Sequence, residues 1–388
     1  MTEKYLHFIW RNKRLSSFDF TTKENENIQI IDIGTYNAFN AGPDFKHGAI
    51  IIDGVQMHGQ IEMHVKSSDW IKHNHQNDEQ YNNVILHVVY EDDKEIIQDG
   101  VKIPTVELKS QIDHHHFAQY SKKQFNRKTF PCDHELNTLD DFHLNAMKIA
   151  AISFKLDTKI KLLKDANIQT EKDVFYNLIG LSFSMSVNKN AFLHLMNNVP
   201  YSSIKNLSPA KKVKLIMSES GLLQKDVNQP QEYWHFKGTR PNSFPTIRVS
   251  QFALLVANFS FELTFLDSNV ESIVNTFRLM VDEIDFSASN GKKRLAKRMV
   301  DLLIINALTP FLWYLGEERK DEKLKDKALD ILELLPSENN NIVGRWRNIN
   351  VHPKNAFDSQ SLLALYRYFC SHKKCLSCNV GQKVLNIE

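Results

Sequence analysis

Apolar residues recur with a two-residue period in short runs over the first hundred positions, and with a helical period over most of the rest. Residues 3–14 carry an amphipathic helical pattern, with Tyr5, Leu6, Phe8, Ile9 and Trp10 in the apolar set. Residues 28–34 predict a strand. Residues 49–54 predict a second, closed by an Asp53-Gly54 turn, and 57–66 a third. Ser68-Asp69-Trp70 predicts a helix start, because Ser and Asp side chains cap the free amides of a first turn. Residues 83–90 are almost continuously apolar, which suits a strand covered on both faces. Residues 103–108, with Pro104 near their start, predict a weaker strand. The order is helix, three strands, helix, strand.

Residues 109–140 change character. They are rich in His, Lys and Gln and predict a linker, with His114, His115 and His116 solvated in it. Beyond residue 141 the helical period dominates. The expected helices are 143–165, 171–187, 208–222, 248–259, 261–281, 292–308, 322–335 and 358–370, interrupted by a loop carrying Pro230, Gly238, Pro241 and Pro245.

The third strand carries the chemistry. Alternation places Ile61, Met63 and Val65 on one face and Glu62, His64 and Lys66 on the other. Upstream, Ala41-Gly42-Pro43-Asp44-Phe45 is a tight turn that delivers Asp44 to the start of the preceding strand. Phosphodiester hydrolysis needs charge neutralised on the phosphoryl oxygens and a nucleophile made from water, and a divalent ion does both. Hard carboxylate oxygens suit Mg²⁺. Lys66 or His64 could stabilise developing charge or move a proton. The competing reading is the solvated face of a half-buried sheet.

This element order, with Pro43-Asp44 opening one strand and Glu62 on the next, resembles the PD-(D/E)XK nuclease superfamily over about the first 110 residues. The resemblance implies that Asp44 and Glu62 bind Mg²⁺ or Mn²⁺. It also implies a lysine two residues after the second acid, assisting the attacking water. That position is His64 here, and the lysine stands two further on, at Lys66. The expected fold class is α+β: a nuclease-like α/β domain with a mixed central sheet over residues 1–125, then a mainly helical domain over 126–388 that ends in a cysteine cluster.

A second polar cluster follows: Asp69, His73, His75, Asp78 and Tyr81. A His-x-His pair beside acids could add metal ligands or phosphate contacts, or simply form a polar connection. His87, inside an apolar strand, is expected to be a hydrogen-bonded core histidine.

Cys370, Cys375 and Cys378 have the spacing C-x4-C-x2-C, and Cys132 is the one other cysteine of the chain. Four cysteines in 388 residues do not make a disulfide framework. The spacing fits an Fe–S cluster or a structural Zn site in which His372 or His134 could substitute. Lys373 and Lys374 would favour thiolates. The arrangement resembles, loosely, the PD-(D/E)XK nucleases whose cluster has one cysteine far from the other three.

Length predicts two or three domains. Net charge is +2, so any nucleic-acid surface must be local. Candidates are Lys292, Lys293, Arg294, Lys297 and Arg298 at an expected helix start, Arg240 in the aromatic and cationic loop 233–242, and Gly344-Arg345-Trp346-Arg347. No apolar run approaches the roughly 18 residues of a membrane span, and no signal peptide is evident. The expectation is a cytoplasmic protein with no membrane partner.

Over nearly its whole length the chain resembles an uncharacterised bacterial family, domain of unknown function 2851. The segments that carry this are 41–45, 62–70, 81–89, 238–242, 355–360 and 375–378. That resemblance implies no activity. The expected function is a metal-dependent nuclease or nuclease-like nucleic-acid-processing protein. The alternatives are a non-catalytic nucleic-acid or protein interaction module on the same fold, stapled by Zn or Fe–S, and a hydrolase of some other phosphoester.

Overall fold

The computed structural model describes residues 1–388 except 38–40, 126–129, 134, 137–140, 166–167, 169, 186, 223–233, 238 and 386–388. His134, Pro230, Tyr233 and Gly238, singled out above, lie outside the described residues. The fold is α+β and divides into two units, Met1–Leu139 with Lys373–Glu388, and Asp140–His372. The expected boundary near 125 therefore moves. The C-terminal segment carrying Cys375 and Cys378 belongs with the sheet-containing unit rather than with the helices.

The first unit opens with α1 (Glu3–Arg11), followed by β1 (Asp19–Thr21), β2 (Asn27–Asp32), β3 (Thr35–Tyr36), β4 (Phe45–Ile52) and β5 (Val55–Lys66). After β5 come α2 (Asp69–Lys72), β6 (Val84–Glu91), β7 (Ile97–Gln98), β8 (Val101–Lys102), β9 (Thr105–Glu107) and α3 (His114–Phe125). The main sheet is mixed and ordered β1-β2-β4-β5-β6-β9, with β3 beside β4; β7 and β8 form a separate hairpin. β2, β4 and β5 are antiparallel neighbours, whereas β5–β6 and β6–β9 are parallel. Asp53 and Gly54, at φ +45° and +87°, join β4 to β5 in two residues. Positive φ at both positions matches strand twist in a tight hairpin, and Asp-Gly adopts it readily.

β5 is exposed over residues 55–58 and covered on both faces over residues 61–64. Ile61 and Met63 pack with Tyr5, Leu6, Phe8, Ile9 and Trp10 of α1 in one apolar cluster. On the other face Glu62 and His64 are buried too, at 5% and 1% exposure, near a small cluster of Trp70, Tyr81, Ile96 and Ile103. The competing reading of a solvated face does not hold at Glu62 and His64, where that face is interior. Gly59 permits this pairing: a Cβ there would lie 2.5 Å from Ile85 Cγ2 and 2.6 Å from the Asn83 carbonyl.

Residues 109–140 are not a plain linker. α3 packs Tyr120 against Tyr5 at 5.2 Å and Phe117 against the same ring at 5.1 Å. The helix expected after Ser68 lasts one turn. Asn74 sits at φ +63° and stops it, because Asn tolerates the left-handed conformation that ends helices. Two 3₁₀ turns, His75–Asn77 and Glu79–Tyr81, then complete the crossover to β6.

The second unit is helical. It includes Asp141–Asp165, Glu171–Phe183, Pro209–Glu219, Pro245–Asn258, Val270–Asp282, Glu322–Leu334 and Ala356–Leu365, near the expected positions. Lys189–Asn198, Thr309–Arg319 and Asn341–Arg347 were not anticipated. Lys292, Lys293 and Arg294 lie in a loop, since the helix begins only at Lys297. That helix continues to Arg319 and, contrary to expectation, is long and apolar enough by composition to cross a membrane; 83% of the window is buried inside the protein, as suits a core helix. It contains a π turn at Ile304–Leu308. Pro310 has no N–H for the carbonyl of Asn306, and the Lys159 ammonium donates to that carbonyl instead.

Candidate functional site

The site begins with a cross-strand relation. β4 and β5 pair as Phe45↔Ile61, then shift register before Gly48↔Gly59, so β4 carries one extra residue. His47 takes up the bulge at φ +61°. One step before Phe45, Asp44 comes opposite Glu62. Its amide donates to Glu62 Oε2 at 3.0 Å. Its Oδ2 accepts from the Met63 amide at 3.0 Å and from His7 Nε2 at 3.0 Å. The side-chain amide of Asn37 donates to the carbonyls of Ala41, Gly42 and Pro43 and closes the preceding turn.

Histidines surround Glu62. His75 Nε2 lies 3.4 Å from Glu62 Oε1 and His64 Nε2 3.7 Å from it. His64 Nε2 is also 3.0 Å from His73 Nδ1, and His64 Nδ1 is 2.8 Å from His87 Nε2. Among the described residues, one set of three or more His, Cys, Asp or Glu brings ligand atoms within 4.8 Å of one another: His64, His73 and His75. His73 and His75 are separated by left-handed Asn74, which turns the chain so that an i, i+2 pair meets at one place. Aromatic walls hold the rings. His75 stacks on Tyr81 at 3.8 Å, and Trp70 meets His75 edge-on at 5.4 Å and His87 at 5.3 Å.

Burial, then the neighbouring Asp44 carboxylate, pushes the Glu62 carboxyl up to about 9. Burial, reinforced by neighbouring imidazoles, pushes His64 down to about 2, His75 to about 4 and His87 to about 3. The rings therefore stand neutral near pH 7, with lone pairs available. His75 Nε2 and His87 Nδ1 are buried with no hydrogen-bond partner among the described residues. Among the described residues, the basic side chains within 4.0 Å of the Asp44 and Glu62 carboxyls are histidines: His7 beside Asp44, and His64 and His75 beside Glu62.

Other candidates fall elsewhere. The Lys66 ammonium lies 3.7 Å from Glu91 and 3.9 Å from Asp93, so it is engaged away from Glu62. Asp69 accepts from the Lys66 amide and from Lys72. Asp78 caps a 3₁₀ turn through the Gln80 amide. His87 is a core histidine as expected, and its partner is His64. Arg240, Lys292, Lys293, Arg294, Lys297 and Arg298 are exposed on the helical unit. Trp346 is buried and donates to the Leu362 carbonyl at 3.1 Å, so the 344–347 segment packs inward at its aromatic.

Cys375 and Cys378 share a 3₁₀ turn, in which the Cys378 amide donates to the Cys375 carbonyl at 3.2 Å. Burial pushes the Cys378 thiol up to about 11, against the thiolate that Lys373 and Lys374 were expected to favour. Cys132 lies in the same unit, in the turn after Phe130, whereas Cys370 ends a π turn of the helical unit.

Sequence reasoning read α1 as a helix but missed its polar side. Its apolar stripe is obvious, but Glu3, His7 and Arg11, four residues apart, form a polar stripe beside it. His7 touches Asp44 and lies 3.5 Å from the Tyr36 hydroxyl. Arg11 stands over the Tyr36 ring at 5.3 Å. Burial raises the Glu3 carboxyl, which also feels His73 and Asp44. That i, i+4, i+8 spacing was the available signal.

Comparison with the curated proteins gives no match, and comparison with the solved structures gives none. A family model described as "Protein of unknown function (DUF2851)" matches residues 3–233 and 227–341, and the chain belongs to that family.

Proposed function

We propose that this protein is a divalent-cation-dependent phosphodiesterase acting on nucleic acid, with its centre at Asp44 and Glu62. The observation that carries this reading is their junction. Two carboxylates on adjoining strands, linked by the 3.0 Å contact from the Asp44 amide to Glu62, have no lysine or arginine ion-paired to them among the described residues. A divalent cation there would favour the ionised form of Glu62, which burial and the Asp44 carboxylate otherwise hold protonated. The order α1, antiparallel β2-β4-β5, α2, then β6 parallel to β5 supports the resemblance to PD-(D/E)XK nucleases.

A bound divalent ion would neutralise phosphoryl charge and lower the pKa of water. The chain's own groups do the rest. The Met63 amide and His7 fix the Asp44 carboxylate. His7, between Asp44 and Tyr36, is placed to move a proton. Arg11 at the rim offers a phosphate contact. The exposed cations Arg240, Lys292, Lys293, Arg294, Lys297 and Arg298 on the helical unit supply charge for a nucleic-acid backbone.

The test is cleavage of single- and double-stranded DNA and RNA with Mg²⁺, Mn²⁺ or Zn²⁺ added, using D44A and E62A variants as controls. Cleavage that persists in both variants overturns the reading. The diversion of Lys66 to Glu91 and Asp93 favours one other reading, a non-catalytic module that binds nucleic acid. It predicts salt-sensitive binding without turnover, unchanged by D44A.

A further inference from the structure

Asp44 and Glu62 suit Mg²⁺, which prefers oxygen ligands and water. The groups actually turned toward Glu62 are imidazoles, and imidazole suits zinc and its first-row neighbours. We propose that His64 Nε2, His73 Nδ1, His75 Nε2 and Glu62 Oε1 form a binding site for a borderline transition-metal ion, Zn²⁺, in preference to Mg²⁺. The assignment rests on the metal-dependent reading above, with which it shares Glu62.

The spacing fits. Ligands 2.0–2.1 Å from a tetrahedral zinc ion stand roughly 3.3–3.4 Å from one another. The distances found are 3.0 Å between His64 and His73, 3.4 Å between His75 and Glu62, and 3.7 Å between His64 and Glu62. His75 Nε2 is a buried nitrogen with no hydrogen-bond partner among the described residues. A buried polar atom without a partner is costly, and a cation beside Glu62 would satisfy it.

The surroundings are those of a prepared site. His64 places its other ring nitrogen 2.8 Å from His87. A partner on the remote nitrogen fixes the tautomer and orientation of a metal-ligating histidine. Tyr81 and Trp70 hold the rings, and left-handed Asn74 sets the angle between His73 and His75. Glu62 and His64 form a buried floor, while His73 is exposed. Solvent and a phosphoryl oxygen can therefore approach on that side, where zinc can expand to five-coordinate.

The experiment uses tag-free full-length protein stripped with a chelator and titrated calorimetrically with Zn²⁺, Co²⁺ or Mg²⁺ alone. Co²⁺ absorption spectra are recorded alongside. The expected result is one Zn²⁺ or Co²⁺ per chain at this site, with Mg²⁺ far weaker. Binding survives in the C375S/C378S protein and weakens more than about 100-fold in H73A and H75A. H73A alters an exposed residue, and circular dichroism confirms its fold. Unchanged Zn²⁺ affinity in both histidine variants, loss of zinc only in the cysteine variant, or Mg²⁺ binding as tight as Zn²⁺ overturns the proposal. Zinc bound at the histidines without nucleic-acid cleavage would sink the phosphodiesterase reading and leave this one standing. Mg²⁺-dependent cleavage without zinc at the histidines would do the reverse.

Discussion

His64 and His87 face each other across parallel strands, with 2.8 Å between Nδ1 of the first and Nε2 of the second. Glu62, two residues before His64, pairs in register with His87. The β5–β6 pairing therefore holds the carboxyl and both imidazoles in one frame. Neutral His64 has one proton, and the contact to His87 decides which nitrogen faces Glu62.

Replacing His87 tests that frame. H87F leaves His64 Nδ1 buried without a partner and should lower stability by about 1–3 kcal/mol. H87Q, which keeps a polar partner, should recover part of the loss. Urea denaturation of both variants measures the difference.

Stability of the metal-free protein should depend on pH in two windows. The Glu62 carboxyl is raised to about 9 in the fold, so the folded state holds its proton more tightly than the unfolded chain does. That contribution is full below the ordinary carboxyl value and is lost as pH rises toward 9. His64, His75 and His87 are depressed. Their contribution is present above the ordinary imidazole value and is lost as pH falls below it. Thermal melts across pH 4 to 9 should show both declines, and E62Q should flatten only the alkaline one. A wild-type alkaline slope retained in E62Q would contradict the assignment.

Lys66 and His64 should separate in activity. The Lys66 ammonium is engaged by Glu91 and Asp93, so K66A should lower nucleic-acid cleavage by less than about tenfold, or about 1.4 kcal/mol. H64A should abolish it, and circular dichroism must show the H64A fold intact. Equal loss in the two variants would restore the lysine role that the nuclease resemblance implies.

Gly59 is a backbone requirement. G59A places a methyl group 2.5 Å from Ile85 Cγ2 and 2.6 Å from a carbonyl oxygen. Relief of such crowding should cost about 1–3 kcal/mol, read as a lower urea midpoint. Because the β5–β6 pairing sets Glu62 against His87, the same variant should weaken zinc binding.

Much of the sheet-containing unit was legible in the pattern of residues. The two-residue period of 57–66 and the Asp53-Gly54 turn specify a hairpin whatever surrounds it, because strand alternation and left-handed turn residues are local properties. The apolar stripe of α1 and the doubly covered strand at 83–90 were equally local. The one-turn length of α2 was not read, since Asn74 breaks a pattern that polar residues leave weak. α3 was hidden because His and Gln mask the few aromatics, Phe117 and Tyr120, that dock it.

From the sequence alone came the fold class, the strand that carries Glu62 and His64, and the turn that presents Asp44. Local period and turn chemistry suffice for these. Tertiary packing alone decided that Lys66 turns to Glu91 and Asp93, that His7 of α1 reaches Asp44, and that His73 and His75 close on His64 beside Glu62. Each of these depends on a register, a bulge at His47 or a helix docked from a distant part of the chain, and contacts between residues far apart in sequence leave no period to read.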